Sequence, residues 1–197
     1  MIWRITRIIG GLRRFSRDGS HDEPQDLPLL GVVQETLALC EESLRLRSIE
    51  LKVDVPAGLR VHCRGVESSQ VMLNVINNAV DALRDAPVRR ISLRAVRFRP
   101  GFVALEIANT GPAVPEELAE KIFQPFFTTK PVGQGVGLGL SISLGMMSSQ
   151  GGSLTLERRQ GETCFVLQFR EGQGEQVERG REQGTVRNPK RERTENR

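Results

Sequence analysis

The run Gln70-Val71-Met72-Leu73-Asn74-Val75-Ile76-Asn77-Asn78-Ala79-Val80-Asp81-Ala82 constrains this chain more than any other stretch. Its apolar residues recur at helical spacing, so it reads as a helix over about 67–84. On that helix Gln70, Asn74, Asn78 and Asp81 share one narrow stripe at i, i+4, i+8 and i+11. Val71, Met72, Val75, Ile76, Ala79 and Leu83 fill the opposite arc. A solvated helix face usually carries Lys, Arg and Glu. This one carries short amides and one short acid, which are weak helix formers. Short oxygen-bearing side chains on a rigid face suit a hard cation such as Mg²⁺ that bridges to phosphates. Taken alone, the stripe equally fits an ordinary amphipathic helix with an Asn-rich flank.

A second segment favours the phosphate reading. Gly133-Gln134-Gly135-Val136-Gly137-Leu138-Gly139-Leu140 leads into an apolar run that reaches Met147, so a helix is expected over about 136–149. Gly-rich backbone entering a helix presents unpaired N–H groups at the positive end of the helix dipole, which is a cradle for phosphate. No Gly-Lys-Ser/Thr follows, so this is not a Walker loop. No clear strand precedes it, so it is a poor dinucleotide fingerprint. Between the two segments lie Glu106-Ile107-Ala108-Asn109-Thr110-Gly111-Pro112-Ala113-Val114-Pro115, a strand ending in a tight turn, and Lys121-Ile122-Phe123-Gln124-Pro125-Phe126-Phe127-Thr128-Thr129-Lys130. Gly151-Gly152-Ser153-Leu154-Thr155-Leu156 opens a further strand after the glycines.

In this order and spacing the segments resemble the N, G1, F and G2 boxes of the histidine-kinase branch of the Bergerat-fold (GHKL) superfamily, which also holds gyrase, mismatch-repair and heat-shock-chaperone ATPases. The resemblance runs from about Gln25 to Arg170. The Asn-Ala-Val-Asp-Ala-Leu and Pro-Phe-Phe-Thr-Thr-Lys segments look most like nitrogen-regulation sensor kinases. The expected fold is α+β, a two-layer sandwich of helices on one mixed, mostly antiparallel sheet, and the mixed element order argues the same way.

Composition bounds the reading. The 197 residues suit one ordinary domain with extensions. With 38% hydrophobic and 26% charged residues and no long apolar run, nothing is expected to span a membrane. Arginines interrupt the first residues, which argues against a cleavable signal. Cys40, Cys63 and Cys164 are odd in number and far apart, which favours a reducing cytoplasm over a disulfide framework. A net charge of +4 with scattered basic residues, no Tyr and one Trp makes a nucleic-acid partner improbable.

The expected organisation is the end of a dimerisation helix at 1–20, a linker at 21–26, an ATP-binding domain at 27–170 and a disordered tail at 171–197. In the first part Ile5, Ile8, Leu12 and Phe15 form a heptad seam with arginines around it. A membrane-surface helix and a core helix are the other readings, but the family pattern favours a dimerisation hairpin, hence a homodimer through residues 1–17. One helix is expected from Pro28 to about Arg47, strands at 49–55, 91–98 and 102–108, a mobile segment from Pro112 to Gly135, and strands at 152–158 and 163–170. His21-Asp22-Glu23-Pro24 imitates a phosphoacceptor box, but its Pro comes too early and it falls in the linker, so His21 is not read as the acceptor.

The resemblance implies ATP and Mg²⁺ as ligands, with the γ-phosphoryl passing to a histidine on a separate or missing dimerisation segment and then to a response regulator. It assigns the Mg²⁺ to Asn78; Asp81, on the same stripe, reads either as a residue that orients the site or as an ordinary exposed helix Asp. Superfamily ATPases and serine kinases usually carry Glu as general base one turn before that Asn. Here the position is Asn74, and an amide has no titrating proton to accept near neutral pH. Asn109 stands where the family has the Asp that accepts from the adenine amine, and Gly111 is the one glycine left of that turn. An Asn carbonyl still accepts, without charge assistance, and a flipped amide donates to a guanine carbonyl. Lys130 is placed to reach a terminal phosphate as a point charge, and reads equally as an ordinary exposed lysine. Phe127, Thr129, Gly135, Gly137, Leu138 and Gly139 complete the expected nucleotide site, and Phe123, Phe126 and Phe127 are expected to anchor the lid to the core. A non-catalytic nucleotide-binding or dimerising adaptor is the runner-up. An ATPase or serine kinase is disfavoured by Asn74.

Overall fold

The computed structural model describes residues 23–131, 135–159 and 161–173. The dimerisation seam, His21, Gly133, Gln134 and residues 174–197 of the expected tail lie outside the described residues.

The described elements run β1 (Gln25–Pro28), α1 (Leu29–Ala38), α2 (Glu41–Leu46), β2 (Glu50–Asp54), β3 (Arg60–Cys63), α3 (Gly65–Ala82), β4 (Arg90–Arg99), β5 (Phe102–Asn109), two 3₁₀ turns at Glu116–Leu118 and Lys121–Phe123, α4 (Gly139–Ser149), β6 (Ser153–Arg159) and β7 (Glu162–Glu171). The strands make one seven-stranded sheet ordered β1-β3-β7-β5-β4-β2, with β6 also pairing β7. β2 and β4 are parallel, and the other pairs are antiparallel. Both hairpins, β4–β5 and β6–β7, join strands adjacent in sequence, and Gly101 turns the first at φ +77°. The α+β architecture is thus the one the element order calls for.

Period explains which face each element buries. Ile91, Leu93, Ala95, Val103, Leu105, Ile107, Phe165, Leu167 and Phe169 alternate along their strands and join the main core. On α3 the arc Val71, Met72, Val75 and Ile76 is fully buried, with Ala79 and Leu83 next to it. Each large apolar side chain so buried contributes about 1.5–3 kcal/mol. That burial outweighs the weak helix propensity of the amide stripe, which amounts to tenths of a kcal/mol per residue. The opposite sheet face holds a smaller cluster of Ala104, Cys164 and Val166. The Arg159 guanidinium lies beside it, ion-paired to Glu106 and Glu157. Burial pushes the Cys164 thiol up to about 11.

Three boundaries differ from the sequence expectation. The helix after Pro28 breaks at Leu39–Cys40, so that Leu39 points to solvent while Cys40 and Leu44 both stay buried. β1 starts at Gln25, inside the segment read as linker, and its polar residues are ordered by pairing with β3. His62 Nδ1 meets Asp26 Oδ1 at 2.7 Å across that pair. β7 extends through Glu171, and the Gln173 N–H donates to Asp26 Oδ2 at 3.0 Å, so the ordered chain outlasts Arg170.

Candidate functional site

α3, α4, the end of β5 and the segments 112–131 and 135–138 line a cavity of about 490 Å³, a size common for small-molecule sites. Asn74, Asn78, Asp81 and Asn109 line it, and so do Phe127, Thr129 and Lys130. Gly135, Gly137, Leu138 and Gly139 form another wall. Gly111 stands directly behind Asn109: a Cβ there would lie 2.8 Å from Asn109 Oδ1 and 2.9 Å from the Ala82 carbonyl. The residues singled out in the sequence therefore converge on one place.

The α3 stripe supplies its polar floor. Lys130 Nζ, from the facing segment, lies 2.5 Å from Asp81 Oδ2 and 3.4 Å from Asn78 Oδ1. The two oxygens thus point at a common position that a cation fills. With about a third of each side chain exposed, the Lys130–Asp81 pair contributes no more than about 1 kcal/mol. The donor set, one amide carbonyl and one carboxylate, fits a hard divalent ion that takes its remaining ligands from water and phosphate. No cluster of three or more His, Cys, Asp or Glu with metal-ligand spacing occurs among the described residues, so a soft-metal site is not in view.

Asn74 does something different. Its Nδ2 donates to Ser143 Oγ at 3.0 Å and to the Gly139 carbonyl at 3.3 Å, while its Oδ1 accepts from Gln70 Nε2 at 3.3 Å. Its amide ties α3 to the first turn of α4. Buried Ser143 is a site residue that sequence reading missed, because a serine among small apolar residues carries no distinctive pattern.

α4 begins at Gly139 with no side-chain cap and no acid in its first turn. The first intrahelical bond there runs from Ile142 N to the Leu138 carbonyl at 3.0 Å. The N–H groups of Gly139, Leu140 and Ser141 are free of helical partners at the positive end of the dipole. The backbone in front of them is tight: Phe126 N donates to the Gly137 carbonyl at 2.8 Å. Gly137 has φ +70°, and a Cβ on it would fall 2.4 Å from the Phe127 carbonyl oxygen. Only glycine fits there.

The phenylalanines divide their roles. Phe123 packs edge-on against Phe165 with ring centroids 6.4 Å apart, which anchors this segment to the core as expected. Phe126 does not anchor it: the ring is 73% exposed, on a residue with φ +67°. The segment 112–135, read as mobile, contains two 3₁₀ turns.

The far end of the cavity is lined by Val114, Ile122 and Phe165, with Asn109 and Thr163 as its buried polar side chains. Asn109 Oδ1 accepts from the Gly111 N–H at 3.0 Å. The carbonyl is therefore committed to the turn instead of facing the cavity. Thr163, opposite Asn109 in the β5–β7 register, was also missed, since a threonine in a strand is unremarkable.

A profile of histidine kinase-, DNA gyrase B- and HSP90-like ATPases matches residues 65–173, the stretch that builds this cavity. The chain belongs to that family. It is 36% identical over 174 residues to the two-component sensor PprA of Pseudomonas aeruginosa, covering 85% of this chain and 19% of PprA. This chain thus spans about a fifth of that relative's length. The catalytic domain of histidine kinase ThkA matches at a TM-score of 0.67 and 32% identity, covering 76% of this chain and 97% of that one. ThkA in complex with the response regulator protein TrrA matches at a TM-score of 0.69 and 27% identity, covering 86% of this chain and 48% of that one. An ATP-binding domain of the histidine-kinase kind is what both the fold and the site describe. No described helix is long and apolar enough to cross a membrane.

Proposed function

We propose that this chain is the Mg-ATP-binding catalytic part of a two-component sensor histidine kinase, which donates the γ-phosphoryl to a histidine on a separate dimerisation segment. The observation that carries the reading is the convergence of Asn78 and Asp81 oxygens on a cation position beside the open start of α4. Asn78 holds the Mg²⁺ and Asp81 orients it, while the N–H groups at Gly139 and the Lys130 ammonium take the phosphates. Bound there, the metal neutralises phosphate charge. The protein's part is positioning and electrostatics, as phosphoryl transfer requires. Asn74 cannot take a proton from water, so ATP stays intact until a nucleophile arrives.

The same reading assigns residues 27–170 to ATP binding and 1–17 to a dimer seam. A response regulator lies downstream, as for ThkA, solved with one. A cytoplasmic location fits the three buried free thiols. A non-catalytic adaptor is the competing reading, favoured by one observation, the engagement of the Asn109 carbonyl by Gly111.

The test is transfer. With γ-labelled ATP and Mg²⁺ the chain alone should remain unlabelled. Adding a dimerisation hairpin that bears the acceptor histidine should give acid-labile label on the hairpin. Release of inorganic phosphate with no labelled hairpin would point to an ATPase. Tight ATP binding with neither outcome would favour the adaptor.

A further inference from the structure

The two ends of the cavity ask for different halves of a ligand. The α3–α4 end offers a cation position and backbone N–H groups. The other end is largely apolar, with Val114, Ile122 and Phe165 around two buried polar side chains, as suits a heterocycle. Thr163 is already used there, since its Oγ1 accepts from Val114 N at 3.2 Å and donates to the Pro112 carbonyl at 3.4 Å. Asn109, only 2% exposed, has a fixed amide orientation. A backbone N–H is met by an oxygen and not by an NH₂ group, so the Gly111 N–H, 3.0 Å away, sets Oδ1 toward the turn. The turn is closely packed, since a Cβ added at Gly111 would lie 2.8 Å from Asn109 Oδ1 and 2.9 Å from the Ala82 carbonyl. The Nδ2 group has no hydrogen-bond partner among the described residues. It is the polar group that Asn109 presents to the cavity.

From this geometry we infer that the base end reads a hydrogen-bond acceptor, so the site prefers 6-oxopurine nucleoside triphosphates over ATP. A 6-oxopurine places a carbonyl where Nδ2 donates. Adenine places an amine there, and two donors face each other unless the base shifts to offer its N1. An unmade buried hydrogen bond is worth about 1.4 kcal/mol, which is about tenfold in affinity. The inference rests on the nucleotide-binding reading above and concerns which base that site favours, with ATP the weaker of its ligands.

Inosine triphosphate is the decisive probe, because it differs from ATP in the six-position group and the N1 proton alone and lacks the 2-amino group of GTP. Calorimetric titration of Mg-ITP and Mg-ATP into the full chain should show ITP the tighter by about tenfold. Asn109→Asp keeps an oxygen for Gly111 and presents a second one to the base, so it should reverse the order in favour of ATP. Asn109→Ala should bring the two affinities within about threefold of each other. Binding of both nucleotides with ATP preferred by the unaltered chain, or an ITP-to-ATP ratio unmoved by Asn109→Asp, overturns the inference and leaves the nucleotide-binding reading intact. Absence of binding by either nucleotide to folded protein overturns both.

Discussion

The α3 wall and the segments that face it, 112–131 and 135–138, contribute to the same cavity, and the two sides are held by different forces. Asn74, Asn78 and Asp81 stand on a helix whose other side is sunk in the core, so their positions follow from burial of Val71, Met72, Val75 and Ile76. Across the cavity, Lys130 and Phe127 belong to a segment with no buried residue in either of its 3₁₀ turns. It is kept in place by the Phe123–Phe165 contact, the hydrogen bonds that Thr163 and Arg158 make with Pro112 and Val114, and the Lys130–Asp81 pair. The first kind of order costs several kcal/mol to undo, the second only a few. In the proposed function the wall is what sets the place of metal and phosphate, and the facing segment is the cheaper of the two to displace.

The largest effect should come from the wall's buried side. Ile76→Ala removes a fully buried side chain and should lower unfolding free energy by about 2–5 kcal/mol. Urea denaturation measures it; a loss below 1 kcal/mol would mean that α3 is not seated as described.

Gly137→Ala should have the opposite profile. The added Cβ meets the Phe127 carbonyl, on a residue with φ +70°, and the local strain is about 1–3 kcal/mol. The segment can relieve part of this strain by opening, so we expect nucleotide affinity to fall tenfold or more, since about 1.4 kcal/mol is one decade, with a smaller stability loss than Ile76→Ala causes. A stability loss as large as that of Ile76→Ala would erase the distinction between wall and facing segment.

Lys130→Met comes next. About a third of each side chain of its ion pair is exposed, so stability should change by less than about 1 kcal/mol, while triphosphate binding loses a point charge and weakens by about tenfold. Unchanged affinity in titration would leave Lys130 as nothing more than a partner for Asp81.

The smallest effect lies outside the cavity, at the β1–β3 edge. The hydrogen bond from His62, and after it the Gln173 N–H, hold the Asp26 carboxyl below its ordinary value. A depressed folded value means the contribution is present above the ordinary carboxylate range, near 4, and is lost as pH falls through the lowered value. Asp26→Asn should therefore reduce stability slightly at neutral pH and flatten its decline as pH falls below about 4. Denaturation midpoints across that range would reveal it, and an unaltered slope would show that Asp26 is not part of the clamp.

The same contrast explains what could be read from the sequence. α3 was legible because its burial and its chemistry both follow a single helical period, and the glycines before α4 were legible because few residues tolerate what Gly137 must do. β1 was not, because Gln25 and Asp26 carry no strand pattern and are ordered by pairing with β3. The break at Leu39–Cys40 was hidden because the buried positions continue across it at helical spacing through Leu44. Phe126 looked like an anchor because aromatic residues usually are, yet its ring faces solvent. Nor could the orientation of the Asn109 amide be known before the Gly111 N–H was placed beside it.

In the proposed function Asn78 is the residue that joins α3 to a metal-bound nucleotide. Calorimetric titration of ATP into the chain and into Asn78→Ala, each with Mg²⁺ and with chelator, tests it directly. The expected result is binding by the unaltered chain with Mg²⁺ alone, and none by the folded Asn78→Ala variant. Equal affinity in the variant, or binding indifferent to chelator, would contradict the assignment of metal and phosphate to this helix.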